Sequence, residues 1–418
     1  MVMRDAARAV EAVYRIERAR LIAGLARMTR DIDRAEELAQ DALVIALAEW
    51  PRSGVPDNPG AWLMAAAKRR AIDGIRHDAM RARKPEAIGA EAERMHDPSE
   101  AIAAAIDDDL GDELLGLIFA ACHPVLSAEA RAALTLRLIA GLTTDEIARA
   151  FLAAEPTVAQ RIVRAKKTLG AAGLSFAVPR GIERGERLGS VLEVVYLVFN
   201  EGYAATAGDD LIRPTLCAEG QRLGRILAGL MPEEPQVLGL LALMELQASR
   251  LAARTDAAGM PVPLTVQNRG RWDRVLIGRG LAALSHAITL GGLTGRYVLQ
   301  AALAAEHARA ARAEDTDWAR IAVLYDLLLG EQPSPVVALN RAIAHGMAFG
   351  SDTGLALLDA LAHEAVLAGY APLPAARGDM LARAGRADEA RAAFELAAKL
   401  TRNRRERDFL LARAAALD

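Results

Sequence analysis

Hydrophobic positions recur along the chain at intervals of three and four, the spacing of one face of an α-helix. The helices of residues 8–50 are predicted to break near Thr29–Asp33 and to end at the proline- and glycine-rich loop Pro51–Gly60. The next predicted helix runs from about Ala61 to Arg83. Periodicity then returns in about four short helices between Glu113 and Leu169. These elements predict two small helical domains in the N-terminal half.

The chain after Leu188 is predicted to be helical again, with one long polar interruption at Arg254–Asn268. Within Ala375–Lys399, small and large residues alternate as in the paired helices of a tetratricopeptide repeat (TPR). They are Gly378, Leu381, Gly385, Ala390, Phe394 and Ala397. A weaker copy precedes them around Tyr325 and Pro333, and a generic helical hairpin is the alternative.

The boundaries follow from proline, glycine and charge. We predict domains at residues 1–84, 109–172 and 186–418, with residues 85–108 as a linker.

Composition strengthens the helical prediction. Apolar residues make up 52% of the chain but aromatic residues only 4%, so Ala and Leu must fill the interior. Both have high helix propensity, whereas strands favour β-branched and aromatic residues. The fold class is therefore predicted to be all-α.

Charge and motifs exclude several functions. The net charge is −3 and the sequence pI about 6.2, so any basic surface must be local. Cys122 and Cys217 lack the spacing of a zinc site and are expected to be small buried residues. We find no catalytic motif, no metal site and no cofactor site. No stretch is long and apolar enough for a membrane span, and a soluble cytoplasmic protein is expected.

One cluster of polar and aromatic residues is expected to lie exposed. It comprises Phe199, Asn200, Glu201 and Tyr203, which suit an interdomain contact or a ligand groove. A helix end with a turn at Gly202 is the alternative.

A helix-turn-helix pattern lies in the last two of the short helices. Thr143 or Thr144 can cap the first helix, with Glu146 close behind to accept exposed amide protons. Leu152–Glu155 is then the turn. Pro156 suits the first position of the second helix.

The second helix separates apolar from polar side chains. Its apolar residues recur at spacings of three and four and are Val158, Ile162, Ala165 and Leu169. The opposite face, with Lys166 near its edge, carries donors that suit base edges and phosphates. These candidate DNA-binding residues are Thr157, Gln160, Arg161, Arg164 and Lys167. A merely solvated basic face is the alternative.

A second basic segment lies upstream, between Trp62 and Lys84. It holds seven Lys or Arg residues against two Asp residues. Trp62 either wedges against a base or packs in the core. A basic helix upstream of a helix-turn-helix favours nucleic-acid binding more than a basic helix alone.

In this order the segments resemble regions 2 and 4 of the extracytoplasmic-function sigma factors. Residues 31–50 are similar to the helix that docks on the clamp of RNA polymerase, and residues 59–76 to the segment that melts and reads the −10 element. Residues 112–169 resemble region 4, which reads the −35 element. Within that family, the chain is most similar to a subgroup with a C-terminal TPR-like extension. The segments that resemble this extension are Phe199–Tyr203, Arg271–Arg274 and Pro335–Arg341.

The resemblance implies particular contacts. Glu37, Gln40 and Asp41 fall where the family contacts the polymerase clamp. The implied −10 residues are Trp62, Lys68, Arg69, Arg70, Asp73 and Arg76. Arg69 stands where many relatives have Asn, which changes the expected base preference.

The implied function is that of an alternative sigma factor that directs core RNA polymerase to specific promoters. Its partners would be core RNA polymerase and promoter DNA, with no membrane association. Residues 186–418 would be regulatory, through a protein partner or an intramolecular contact. A polymerase-independent helix-turn-helix regulator and a TPR-type adaptor are the alternatives.

The linker is long enough for this role. About 24 residues span at most ~80 Å when extended. A promoter spacer of about 17 base pairs is ~58 Å long.

Overall fold

The computed structural model contains helices throughout. It describes residues 2–82, 110–151, 153–204, 212–257, 259–401 and 403–417. Apart from isolated bridge residues, Thr255 with Pro261 and Asn403, these residues form no β-structure. The all-α prediction is confirmed. The predicted linker 85–108 lies outside the described residues.

The chain divides into two compact units, residues 1–194 and 195–418. The helices of the first unit are α1 (Val2–Thr29), α2 (Ile32–Ser53), α3 (Pro59–Ala82), α4 (Leu110–Ala121), α5 (Ala128–Thr135), α6 (Thr144–Ala150), α7 (Glu155–Ala171) and α8 (Gly181–Tyr203), the last of which continues into the second unit. A π-helical turn, Leu136–Ala140, follows α5.

Helix α2 begins and ends for local reasons. The Asp31 carboxylate accepts hydrogen bonds from the backbone N–H groups of Asp33 and Arg34, at 2.8 and 3.1 Å, which caps the helix at the predicted break. At its other end α2 continues past Pro51 to Ser53, whereas the sequence pattern ended it at Trp50. A proline in the last turn removes only one backbone bond, so the helix extends until Gly54, where φ is 85°.

The helix-turn-helix forms at the predicted place. The Thr143 hydroxyl accepts from the Glu146 N–H at 3.2 Å, and the Glu146 carboxylate accepts from the Thr143 N–H at 2.8 Å, forming a capping box at α6. Helix α7 begins at Glu155, so Pro156 is its second residue rather than its first. The predicted apolar face of α7 is buried.

The core of the first unit surrounds α1, against which α2, α3 and α4 pack. Helix α1 packs along α2, and both α4 and the π-helical turn pack against α1. The largest fully buried side chains here are Trp50, Phe119, Leu25, Leu38 and Leu117.

The second unit is an array of helices. They are α9 (Pro214–Leu230), α10 (Pro235–Ala248), α11 (Arg274–Gly291), α12 (Arg296–Arg309), α13 (Trp318–Glu331), α14 (Pro335–Phe349), α15 (Ser351–Ala360), α16 (Pro372–Arg383), α17 (Ala387–Leu400) and α18 (Arg404–Ala415). Three short 3-10 turns lie between Leu251 and Arg271. One of them, Leu264–Val266, falls inside the predicted polar interruption Arg254–Asn268, and the other two flank it.

Helices α16 and α17 form a hairpin in which glycine faces a phenylalanine ring. A Cβ atom on Gly378 would lie 2.8 Å from the Phe394 ring, so only glycine lets the two helices approach this closely. The connection turns at Gly385, where φ is 75°. Phe394, Ala390 and Ala397 are buried in the core shared with α14, α15 and α18. The predicted small and large positions thus interlock as expected.

The expectation that Phe199 and Tyr203 lie exposed is wrong. Their exposed fractions are 0% and 7%, and their rings stack with centroids 5.7 Å apart. Helix α9 covers them: a Cβ atom on Gly220 would lie 2.6 Å from the Phe199 Cβ. The sequence around Phe199 carries no sign of this distant glycine.

Both cysteines are buried, as predicted. Burial raises the pKa of the Cys122 thiol to about 11 and that of Cys217 to about 12. No helix in the described part of the chain is long and apolar enough to cross a lipid bilayer.

We predict that Gly378→Ala lowers the free energy of unfolding by about 1–3 kcal/mol, because the added methyl group displaces the Phe394 ring. The midpoint of urea-induced loss of helical circular dichroism measures this. Gly229→Ala is the matched control, since Gly229 is exposed on α9 and a Cβ there meets nothing within 4 Å. Equal midpoints for the two variants would contradict the interlocking role of Gly378.

Candidate nucleic-acid interface

Helix α7 presents the predicted DNA-binding residues on its outer face. Thr157, Gln160, Arg164 and Lys167 are exposed, and Arg161 is half-buried. Val158 and Ile162 fix this orientation, because their burial on the opposite face anchors the helix to α5 and α6. The helix therefore offers both hydrogen-bond donors and positive charge to a groove.

The cations of this face form no ion pair among the described residues. No salt bridge there involves Arg161, Arg164 or Lys167. On the neighbouring helix α6, in contrast, Arg149 pairs with Asp145 at 2.6 Å. Lys and Arg side chains that form no salt bridge are available to neutralise phosphate groups.

Helix α2 carries a stripe of exposed residues. Glu37 and Gln40 are exposed and Asp41 is half-buried at spacings of three and four, and Val44, 64% exposed, continues the stripe. The Asp41 carboxylate lies 3.7 Å from the Arg70 guanidinium of α3. An exposed apolar residue beside polar groups is typical of a protein-binding surface.

Helix α3 places its basic residues beside α2. Arg69 and Arg70 are exposed, and Lys68 is half-buried. Trp62 is half-buried, and its ring meets the buried Trp50 ring edge-on, with centroids 5.3 Å apart.

Two further predicted −10 residues, Asp73 and Arg76, lie later on α3. Their side chains fall outside the described residues.

A buried ion cluster joins α2 to α7, and sequence reasoning missed it. The Glu36 carboxylate, 10% exposed, lies 2.5 Å from Lys166 Nζ, 2.7 Å from Arg18 and 3.6 Å from Arg137. Lys166, with a 12% exposed side chain, also contacts Asp33 at 2.8 Å. Lys166 therefore faces α2 instead of the edge of the DNA-binding face. We call these five residues the Glu36 cluster.

Lys166 is charged in this cluster. Burial by itself lowers the pKa of Lys166, but hydrogen bonds from its ammonium group to Asp33 and Glu36, with their negative charges, outweigh burial and raise it. Arg18 additionally donates to the Arg137 carbonyl oxygen at 2.8 Å, so the contact extends to the π-helical turn. The one sequence signal was Glu36 itself, a carboxylate between the buried residues Ala35 and Leu38.

Similar proteins identify the arrangement. Residues 13–81 match the model of sigma-70 region 2, and residues 117–169 match that of sigma-70 region 4. Residues 187–288 match a family of unknown function, DUF6596. An uncharacterised protein of Rhizobium meliloti (strain 1021) is 41% identical over 395 residues, which cover 94% of this chain and 92% of that protein.

The chain belongs to the sigma-70 family. It is a sigma factor of the extracytoplasmic-function-like kind with a C-terminal extension, as the resemblance implied. Regions 2 and 4 give the sigma factor a role in transcription initiation, with core RNA polymerase and promoter DNA as partners.

We predict that Lys166→Glu separates regions 2 and 4, because it places a third negative charge beside Glu36 and Asp33. Energy transfer between dyes on Glu49→Cys in α2 and Gly170→Cys in α7 reports the separation, since both positions are exposed and Cys122 and Cys217 are buried. Transfer efficiency should fall.

Lys167→Glu is the matched control, because Lys167 is the next residue along α7, is exposed and forms no salt bridge in the described residues. The role of the Glu36 cluster is refuted if Lys166→Glu and Lys167→Glu give the same efficiency as the parent protein.

Proposed function

We propose that this sigma factor directs core RNA polymerase to specific promoters through three helices. Helix α2 docks on the polymerase, α3 opens and reads the −10 element, and α7 reads the −35 element. The observation that carries the proposal is the outer face of α7, where Arg161, Arg164 and Lys167 are free of salt bridges within the described residues.

Docking through α2 is supported by its exposed stripe. Glu37, Gln40 and Asp41 offer hydrogen-bond acceptors, and Val44 offers apolar area beside them. The buried residues beneath, such as Leu38 and Trp50, hold the stripe rigid. A rigid mixed surface suits a stable protein contact.

Reading of the −10 element is supported by the position of Trp62. Its half-buried ring rests on Trp50, so one part of the indole remains available to a displaced base while the rest is anchored. Lys68, Arg69 and Arg70 follow on the same helix and supply charge for the strand backbone.

Simultaneous reading of both elements requires regions 2 and 4 to separate. Lys166 contacts Glu36, and Arg70 contacts Asp41, only five residues further along α2. The backbones of Lys166 and Arg70 therefore lie within roughly 35 Å of each other. This is shorter than the ~58 Å of a spacer of about 17 base pairs. We infer that promoter engagement breaks the Glu36 cluster.

The C-terminal unit is proposed to regulate this step, through a protein partner or an intramolecular contact. A truncated protein for testing this role should contain residues 1–194, because a shorter chain that ends before α8 lacks part of the first unit. The Ser190 hydroxyl donates to the Cys122 carbonyl at 2.5 Å, and Arg187 donates to the Phe119 carbonyl at 3.0 Å, so the shorter chain loses contacts of the first unit. Unchanged promoter output from residues 1–194 would remove the regulatory role.

We predict that Asp41→Arg and Gln40→Ala weaken binding of the full-length protein to core RNA polymerase by tenfold or more, because both alter the exposed stripe. Glu49→Arg is the control for Asp41→Arg, since it makes the same charge change on an exposed position of α2 away from the stripe. Binding is measured by titration of labelled protein with core enzyme.

The outcomes separate the alternatives. Equal losses for Asp41→Arg and Glu49→Arg would mean that total charge, not the stripe, governs binding. No binding by full-length protein together with binding by residues 1–194 would indicate autoinhibition. No binding by either would favour a polymerase-independent regulator or a TPR-type adaptor.

We predict that substitutions of two residues of α7 change promoter affinity in different ways. Affinity is measured for the complex of the sigma factor with core RNA polymerase, on a promoter fragment that was first selected by its binding to this complex. Arg164→Ala should cost about 1–3 kcal/mol and relax specificity at one base pair, whereas Lys167→Ala should mainly lower the salt dependence by about one ion. Arg312→Ala, exposed in the second unit, is the control. Indistinguishable affinities at all salt concentrations would exclude α7 from DNA contact.

A further inference from the structure

The second unit contains a half-enclosed cavity of about 430 Å³. Helices α10, α12, α13 and α14 surround it, and Tyr196 of α8 closes one side. This volume lies within the range of small-molecule sites in proteins. It is about three times that of an engineered cavity that holds benzene.

The wall of the cavity combines apolar surface with neutral polar groups. Leu243, Leu246 and Leu303 supply apolar area, while Gln300 and Asn340 supply amides. Tyr196 and Tyr325, both half-buried, contribute phenols. None of the described residues that line the cavity is an aspartate or a glutamate.

One arginine, Arg250, contributes positive charge to this wall. It is half-buried, and its guanidinium lies over the Tyr203 ring, 5.4 Å from the centroid. Arg250 forms no salt bridge among the described residues, although most buried arginines are paired with a carboxylate.

The groups next to Arg250 are other cations and do not supply a counter-charge to it. Arg254 donates to the Tyr203 carbonyl oxygen, and Arg269 donates to the carbonyl oxygens of His307 and Ala310. Burial, with the charges of Arg250 and Arg269, lowers the pKa of His307 to about 4, so His307 is neutral at pH 7. The negative charges of Glu314 and Asp315 act on Arg269. The described residues of the cavity wall, in contrast, bring no carboxylate to Arg250.

Several buried polar atoms at the wall lack a hydrogen-bond partner. They are Gln247 Oε1, Trp272 Nε1, His307 Nδ1 and Gln332 Oε1. Buried polar atoms are nearly always satisfied in folded proteins, so four of them around one cavity indicate that its occupant brings hydrogen-bonding groups.

We propose that this cavity binds a small organic anion, a carboxylate or a phosphate ester, whose acidic group pairs with Arg250 and whose apolar part packs against Leu243, Leu246 and Leu303. An anion supplies the missing counter-charge, and a body of about 10–20 non-hydrogen atoms fills the volume. A neutral ligand leaves Arg250 without a counter-charge.

The test uses the full-length protein and pairs of probes in which the member with an acidic group is matched by a neutral member. Phenylacetate is compared with phenylacetamide, hexanoate with hexanamide, and phenyl phosphate with phenol, by ligand-detected NMR. Tryptophan emission, to which Trp272 in the cavity wall contributes together with Trp50, Trp62 and Trp318, is compared with and without each probe. The anion of at least one pair should bind tenfold or more tightly than its neutral partner, and the better of carboxylate and phosphate identifies the acidic group.

Variants locate the effect. Arg250→Gln should abolish the preference for the anion, and Arg250→Lys should retain part of it because the charge remains. Arg271→Gln, exposed and outside the cavity, should leave the preference unchanged. The proposal is overturned if no anion binds more tightly than its neutral partner in the parent protein, or if Arg250→Gln and Arg271→Gln behave alike.

Discussion

The arrangement of the first unit depends on one buried carboxylate. Glu36 accepts contacts from Lys166, Arg18 and Arg137, which come from three separate elements of the chain. A carboxylate taken out of water is strongly destabilising unless it is paired, so the three elements must meet around it. This requirement keeps region 4 against region 2 and turns Lys166 away from the DNA-binding face.

Charges form one part of the junction between regions 2 and 4, beside the apolar packing of α4 on α1, and a charged contact can be opened at modest cost. An apolar interface loses its stabilisation when it is exposed to water, whereas separated ions regain hydration that they lost on pairing. The charged groups between regions 2 and 4 are therefore suited to exchange their partners. Asp41 and Arg70, which join α2 to α3, offer a second contact of this kind near the proposed polymerase surface.

Local signals made much of the fold predictable from sequence. The capping box of Thr143 and Glu146 spans three residues, and the Gly378–Phe394 contact lies within one hairpin. The same reasoning could not find the Glu36–Lys166 pair, because 130 residues separate its members. It misjudged Phe199 for another reason: no pattern in the sequence marks Gly220, on the next helix, as the residue that packs against Phe199. For the candidate interface, helical spacing predicted which residues lie together on the outer face of α7. The contacts of these residues with DNA remain predictions.

Most protein thiols respond to oxidants only through their thiolate form. The pKa values of Cys122 and Cys217 are about 11 and about 12. At pH 7 the thiolate form of each is therefore present in on the order of one molecule in ten thousand or fewer. Both sulfurs are also buried, which keeps them from thiols and oxidants in solution. The sigma factor should thus keep its thiols through an oxidative burst, and these two residues do not equip it to sense peroxide.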